Sequence, residues 1–272
     1  MLHYPQEHWY TLTIMEIPAG YIYAVVEQVD YRGDAAIRSQ TEWVVRLQVP
    51  ATFRAAGVNR EVTHVEYTGL DLTLHHSVKT ETRQNQFEQI EVDVIGGVAH
   101  AKRVTSDRAS RGRGGSAETT ATEVAVPPDL FSLCLPTGIS ELLSQRPLDI
   151  GEKHNYHVFD VKSLVAIRTE LHFVAEETRA DLAQGGPLRV FDVVQSVPKR
   201  KKKQHSSRVW VASDGIVSRL EMNTGIKGVV TQSNKRTALR SAGVKKRVPV
   251  HRPGSDGEKT RGKRPHRPRK RR

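Results

Sequence analysis

The sequence predicts a mainly β fold, with curved antiparallel sheets around one core, a short helical insert and a disordered basic C-terminal tail. Three observations support this prediction. Apolar and polar residues alternate with a period of two, turn signals rich in Gly and Asp separate the alternating runs, and few stretches have helical periodicity. Consecutive strands joined by short turns favour antiparallel pairing over a parallel sheet with crossover helices.

The alternation is clearest at 70–75, 90–94, 165–173 and 216–222, where each run fits a strand with one face on a core. Strands are predicted at about 8–15, 20–30, 35–48, 61–68, 70–79, 87–95, 98–105, 116–124, 154–163, 165–176, 187–195, 206–213, 215–222 and 226–233. Turn signals lie at 32–34, 68–69, 96–97, 213–215 and 224–225. These signals space the strands at intervals typical of hairpins.

Residues 127–148 interrupt the alternation. Two Pro residues and Asp129 precede an apolar run, and a second apolar run follows Gly138. We predict two short helices here, with Asp129 as the N-cap of the first. This insert joins two halves, at about 1–126 and 149–233, of one globular domain that spans residues 1–233.

The basic charge of the chain is concentrated after residue 233. Residues 234–272 contain 16 Lys and Arg against 2 Asp and Glu, so the remaining 26 basic and 28 acidic residues leave residues 1–233 with a net charge of −2. Large apolar residues are rare in the same segment. Such a composition cannot bury enough surface to offset the entropy of ordering, which predicts a disordered tail.

Two basic regions are candidate contacts for a polyanion. A run of cations at 199–203 joins two predicted strands, where it is a solvated turn, a nuclear localisation signal or a contact for phosphate. The candidate residues are Lys199, Arg200, Lys201, Lys202, Lys203, Lys245, Lys246, Arg247, Lys263, Arg264, Arg269, Lys270, Arg271 and Arg272. We expect non-specific binding of polyanions by the tail, and the sequence identifies no other partner.

The sequence predicts no cofactor, metal site or catalytic centre. The run 112–117 matches a dinucleotide-binding fingerprint in form, but it lacks the apolar strand and the helix that such a site needs. Cys134, the only cysteine, lies between two Leu residues, which favours a buried core residue over a nucleophile. The pairs His75–His76 and His154–His157 would each point to opposite faces of a strand. We therefore expect no enzymatic activity.

The sequence predicts neither a membrane span nor an export signal. The apolar cluster at 130–135 is far shorter than the roughly 20 residues that cross a bilayer. The N-terminus lacks the basic region followed by an apolar stretch that marks secretion. As written, the chain is expected to stay in the cytoplasm.

Several short motifs resemble the β-rich region that precedes the catalytic domain of bacterial transglutaminase-like proteins. They are Trp9-Tyr10, Ala19-Gly20-Tyr21, the turn from Glu66 to Leu70, the insert from Pro127 to Leu148 before Gly151, Trp210 with Asp214-Gly215 and Arg219, and the NKRTAL stretch at 234–239. The resemblance covers about residues 8–240. In that family, which is often exported, the Cys-His-Asp triad lies downstream, so the resemblance implies a non-catalytic accessory domain. The alternative is a nucleic-acid-associated protein that binds through its tail and the 199–203 loop.

Overall fold

The computed structural model describes residues 4–47, 58–84, 86–107, 117–131, 136–182, 186–196, 204–223 and 227–243. The first half consists of β1 (Gln6–Ile14), β2 (Ile17–Tyr31), β3 (Asp34–Leu47), β4 (Val58–Gly69), β5 (Leu74–Arg83), β6 (Gln86–Ile95), β7 (Val98–Asp107) and β8 (Glu118–Ala125). The second half consists of β9 (Leu130–Phe131), α1 (Thr137–Gln145), β10 (Lys153–Asp160), β11 (Val165–Thr178), β12 (Pro187–Ser196), β13 (Gln204–Val211), β14 (Val217–Asn223), β15 (Lys227–Ser233) and α2 (Lys235–Ser241).

The described strands form one sheet in which each half is a meander. The strand order is β8-β7-β6-β5-β4-β3-β2-β1-β15-β14-β13-β12-β11-β10-β9, so the two halves join where β1 pairs with β15. Neighbouring strands pair antiparallel, except that β9 pairs parallel to β10. The mainly β fold that the sequence predicts, with antiparallel pairing, is confirmed.

The sheet curls so that its two halves share an apolar interior. The largest core cluster combines Tyr10 and Ile22 of the first half with Phe173 and Phe191 of the second half. Helix α1 lies inside the curl, where its residue Ile139 is fully buried in the same cluster. A second cluster joins apolar side chains of β5, β6 and β7 to those of β9 and β10. The face of each strand toward these clusters is called the inner face below.

Helix α2 covers part of the outer face. It packs on β1 and β2, where Ala238 and Ala242 contact Trp9, Tyr21 and other members of a third cluster. The helix begins after Asn234, whose side-chain oxygen accepts a hydrogen bond of 2.9 Å from the backbone N–H of Thr237. None of the helices among the described residues is both long enough and apolar enough to cross a membrane.

The structure extends the ordered domain beyond the boundary predicted at residue 233. Residues 235–241 form α2, and the Ser241 hydroxyl donates a 2.8 Å hydrogen bond to the Gly20 carbonyl on β2. The predicted tail therefore starts at least ten residues too early. Two buried alanines, Ala238 and Ala242, and the N-cap Asn234 hold this segment against the sheet. Residues 244–272, predicted as disordered, lie outside the described residues.

The helical insert also differs from its prediction. Instead of a first helix, Leu130 and Phe131 form β9, which pairs with His157 and Val158. The Asp129 carboxylate lies 2.9 Å from His157 Nδ1 and does not cap a helix. The second predicted helix is α1.

Each of the fourteen predicted strands has a counterpart in the sheet, but the one predicted at 70–79 begins late. The Asp71 carboxylate accepts hydrogen bonds from the backbone N–H and the hydroxyl of Thr73, which closes a turn before β5 begins at Leu74.

Candidate functional site

Most residues singled out from the sequence fall in segments that the structure leaves undescribed, whereas the histidines at 75, 76, 154 and 157 are described. The candidate polyanion contacts at 199–203 and after residue 244 lie outside the described residues, as do Cys134 and residues 112–116. Their predicted roles stay predictions. The candidate site is instead built from inner-face residues of the first half.

The inner face of β3, β4 and β5 is polar, although it faces the interior of the curled sheet. Cross-strand pairing aligns these residues in rows, since each inner-facing residue lies opposite one on the next strand. The polar face consists of Ser39, Thr41, His64, Glu66, Ser77, Lys79 and Glu81. Burying polar and charged groups is unfavourable unless each finds a partner, so these residues need a specific explanation.

Two carboxyl groups meet at the deep end of the polar face. Glu66 of β4 is 2% exposed, and Glu141 of α1, directed toward it, is 5% exposed. Burial and the nearby charge of Glu66 raise the pKa of Glu141 to about 8, while Ser39 Oγ donates a 3.4 Å hydrogen bond to its Oε1. Glu141 is therefore protonated at neutral pH, which allows two acidic groups to share one buried site.

His64 lies in the middle of the polar face without forming a catalytic triad. Its Nε2 is 2.8 Å from Ser77 Oγ and 3.4 Å from Glu66 Oε1, so both partners contact the same nitrogen. A triad requires the acid on the other nitrogen of the ring. Burial lowers the pKa of His64 below its ordinary value, which favours the neutral imidazole.

At its outer end the polar face opens into a cleft of about 500 Å³. The floor of the cleft is a cross-strand row on β5, β6, β7 and β8, formed by Glu81, Glu88, Thr105 and Glu118. The remaining lining residues are Arg83, Gln86, Phe87, Ser106, Asp107 and Lys162. We call this site the charged cleft.

Cations neutralise the two inner glutamates of the floor. Glu81 forms ion pairs with Arg60 at 2.9 Å, with Lys162 at 3.5 Å and with Arg83. Burial alone would raise the pKa of Glu81, but the hydrogen bond and charge of Arg60, together with the two other cations, hold it below its ordinary value. Glu81 is therefore ionised at neutral pH.

The third glutamate of the floor, Glu118, remains open to solvent. Glu88 pairs with Arg103 at 3.4 Å, whereas Glu118 is exposed and forms no ion pair with the described residues. The charged cleft thus offers one unneutralised carboxylate beside a fixed network of charges. Sequence reasoning missed this site because its four floor residues come from four strands; the only local signal is that β5 carries polar residues on both of its faces.

Comparisons with known proteins identify the fold and no family. No family model matches the chain, and no curated protein matches it. Among solved structures, the chain is similar to a beta-barrel-like protein of domain of unknown function DUF1849 from Brucella abortus. The TM-score is 0.56 at 9% identity, covering 85% of this chain and 96% of that one. A DUF1089 family protein from Pseudomonas aeruginosa aligns with a TM-score of 0.36 and 12% identity, over 72% of this chain and 87% of that one.

These findings correct the resemblance stated above. The chain shares its fold with the beta-barrel-like Brucella protein, and no transglutaminase family model matches. The predicted kinship with the region that precedes such catalytic domains is wrong, because it depended on short motifs of turns and aromatic strand residues that unrelated β meanders also contain. The accessory role that this resemblance implied is withdrawn with it. At 9% identity the likeness to the Brucella protein shows the fold alone.

Proposed function

We propose that this domain is a non-catalytic binding module that takes up a small, positively charged polar molecule, such as an organic amine, in the charged cleft. The observation that carries the proposal is the cross-strand row of three glutamates on the cleft floor. Glu81 and Glu88 lie directly opposite each other and are each paired with cations, whereas Glu118 lies beyond Thr105 in the row and forms no ion pair with the described residues. An exposed carboxylate beside this fixed network of charges supports a ligand that carries positive charge.

The charge of the cleft determines the class of ligand. Its lining contains the carboxylates Glu81, Glu88, Asp107 and Glu118 and the cations Arg83 and Lys162, while Arg60 and Arg103 pair with Glu81 and Glu88. The attraction for positive charge therefore depends on the exposed Glu118, which can accept hydrogen bonds from an ammonium group. The volume of about 500 Å³ lies within the range that holds small ligands, roughly 300–1,000 Å³. Phe87 is the one apolar residue among these lining residues, and the others are polar or charged, which disfavours lipids and sterols.

Binding is favoured over catalysis by the state of the buried groups. The Ser77 side chain is fully buried, so a substrate could not reach its hydroxyl as a nucleophile. The His64 nitrogen that contacts this hydroxyl also contacts Glu66. The Glu66–Glu141 pair is equally enclosed. Of the groups in the polar face and the charged cleft, those that a ligand can reach are therefore the ones of the cleft, where the charges are suited to recognition.

Calorimetric titration of the full chain with putrescine and spermidine tests the proposal. We expect saturable binding of the amines and none of glutarate, a dianion of similar size, because the unneutralised carboxylate of Glu118 attracts a cation and repels an anion. A basic tail cannot account for such a preference, since cations would repel an amine. Equal heats for putrescine and glutarate would contradict the proposal.

Two glutamates of β8 provide a matched pair of variants. Glu118→Gln should weaken amine binding about tenfold, because it removes a charged hydrogen-bond acceptor from the cleft. Glu123→Gln, on the same strand but outside the cleft lining, should leave affinity unchanged. If both variants bind amines alike, the ligand does not lie in the charged cleft.

A second activity rests on the composition of the tail. Residues 234–272 hold 16 basic and 2 acidic residues, which favours non-specific binding of polyanions by counterion release. The affinity of the full chain for duplex DNA should fall steeply between ~50 and ~200 mM salt. Replacing Lys263, Arg264 and 269–272 with Gln should weaken binding and flatten the salt dependence. An unchanged salt dependence would exclude the tail as the contact.

A further inference from the structure

The outer face of β5 to β8 carries a second set of chemically reactive side chains, separate from the charged cleft. Cross-strand pairing places His76 opposite Asp93, Asp93 opposite His100, and His100 opposite Glu123. Histidines and carboxylates therefore alternate along one row across four strands. Glu91 lies two residues before Asp93 on β6 and so points to the same face.

From this geometry we propose that His76, Glu91 and Asp93 form a binding site for a divalent transition metal ion. The donor atoms of these three residues all lie within 4.8 Å of one another, and His76 Nδ1 is 3.0 Å from Asp93 Oδ1. Two ligands of a tetrahedral zinc ion, each about 2.0–2.2 Å from the metal, are separated by roughly 3.4 Å. Small side-chain rotations suffice to bring the three donors around one ion.

The imidazole is held in place by its surroundings. The His76 side chain is 11% exposed, and its ring lies 5.9 Å from the ring of Tyr31 and 5.8 Å from that of Tyr67, measured between centroids. Tyr31 and Tyr67 are themselves stacked at 4.4 Å. An immobilised ligand loses little entropy when the metal binds, which favours affinity.

The Arg32 guanidinium supplies a positive charge at the position where the metal ion would bind. Its Nη2 forms a 2.8 Å ion pair with Asp93 Oδ1, the same oxygen that His76 contacts. The Arg32 side chain is 56% exposed and lies at the turn between β2 and β3, so it can move away at little cost. A metal ion would take over this oxygen and release the guanidinium.

The site leaves room for a further ligand. A depression of about 370 Å³ borders it and is lined by Glu91 and Asp93 together with His100, Lys102 and Glu123. Three protein ligands with one open position are typical of reactive zinc sites rather than structural ones. One imidazole and two carboxylates suit Zn²⁺, Mn²⁺ or Fe²⁺, and such a set would not select Cu⁺, which prefers sulfur ligands.

The test is a calorimetric titration of the chelator-treated full chain with Zn²⁺, supported by the visible absorption of Co²⁺. We expect one tight equivalent, weakened about tenfold or more in His76→Gln and in Asp93→Asn, because each removes a direct ligand. His75→Gln is the matched control, since it removes the adjacent histidine, which is not part of the cluster. It should bind the metal like the wild type.

Two further variants guard against loss of fold. Glu91→Gln changes a partly exposed residue and should weaken Zn²⁺ binding even if His76→Gln unfolds. Arg32→Gln should leave the affinity unchanged or raise it, because it removes the competing cation. The proposal is overturned if no tight equivalent exists, if His75→Gln and Glu91→Gln bind alike, or if Arg32→Gln weakens binding.

Discussion

The two halves of the sheet differ in what they place inside the curl. In the second half, the interior of β11 to β15 is apolar, with Phe173 and Phe191 stacked at 4.8 Å among aliphatic side chains. In the first half, β3 to β5 present the polar face, which ends at the Glu66–Glu141 pair. Both interiors are buried, and they share one sheet and one folding unit.

The difference indicates which part of the interior stabilises the fold and which part does not. Burial of apolar surface stabilises a fold by about 25 cal/mol for each Å² removed from water, whereas a hydrogen bond between buried polar groups contributes only about 1 kcal/mol net. The second half and the shared cluster around Tyr10 and Ile22 therefore hold the fold. We expect the polar face to contribute little to stability, and only its outer end, at Glu81, reaches the charged cleft.

Truncation of a core side chain in the second half should have the largest effect. Phe191→Ala removes a fully buried ring and should lower the free energy of unfolding by about 3–5 kcal/mol. Ser77→Ala, its equally buried counterpart on the polar face, removes one hydrogen bond to His64 and should cost about 1 kcal/mol. Urea denaturation of both variants measures the contrast. Equal losses would mean that the polar face is as important for stability as the apolar interior.

The pH dependence of the free energy of unfolding should reveal the raised pKa of Glu141 in the deep carboxyl pair. Because the pKa of Glu141 rises from its ordinary value to about 8 in the fold, the folded state holds a proton that the unfolded state has released. The stabilisation is complete below about pH 4.5 and is lost as pH rises toward 8, amounting to a few kcal/mol over the window.

Glu141→Gln should remove this loss, since the amide does not titrate. The variant should differ from the wild type far more at about pH 8 than at about pH 5. His64, whose pKa is lowered by burial, changes stability in the opposite direction and is common to both proteins, so it cancels in the difference. If the difference in the free energy of unfolding between the variant and the wild type is the same at about pH 5 and at about pH 8, Glu141 is not protonated in the folded state.

Loss of the α2 cap should have the smallest effect, because α2 covers the outer face and lies in neither interior. Asn234→Ala removes the acceptor for the Thr237 N–H and should lower the free energy of unfolding by about 1 kcal/mol. Its effect can be followed by denaturation alongside Thr120→Ala, an exchange at an exposed position of β8. A loss as large as that of Phe191→Ala would make α2 part of the main core.

The strands were predictable because most inner faces are apolar, and alternation alone reveals such strands. Helix α2 was missed since Ala238 and Leu239 are too few to give a helical pattern, and only contact with Trp9 and its neighbours makes them buried. The first predicted helix of the insert failed for the opposite reason: an apolar run can equally form a strand, and β9 gains backbone partners on β10.

The candidate sites could not be predicted from the sequence. Glu81 and Glu118 are 37 residues apart, and only the register of β5 to β8 places them in one row. The sequence sets His76 beside His75, but the side chain that His76 contacts is that of Asp93 on the next strand. Spacing along the chain detects sites on a single element, but sites that span several strands depend on pairing.

The central claim is that the apolar interior holds the fold, whereas the buried carboxyl pair of the polar face does not. The most direct test is the free energy of unfolding of the double variant Glu66→Met/Glu141→Met at about pH 8, where the wild type bears the full cost of the buried acids. Methionine is unbranched and adaptable, so it can fill the same space. The account predicts a variant at least as stable as the wild type. A loss of about 3 kcal/mol or more would show that the buried carboxyl pair stabilises the fold, and would contradict the claim.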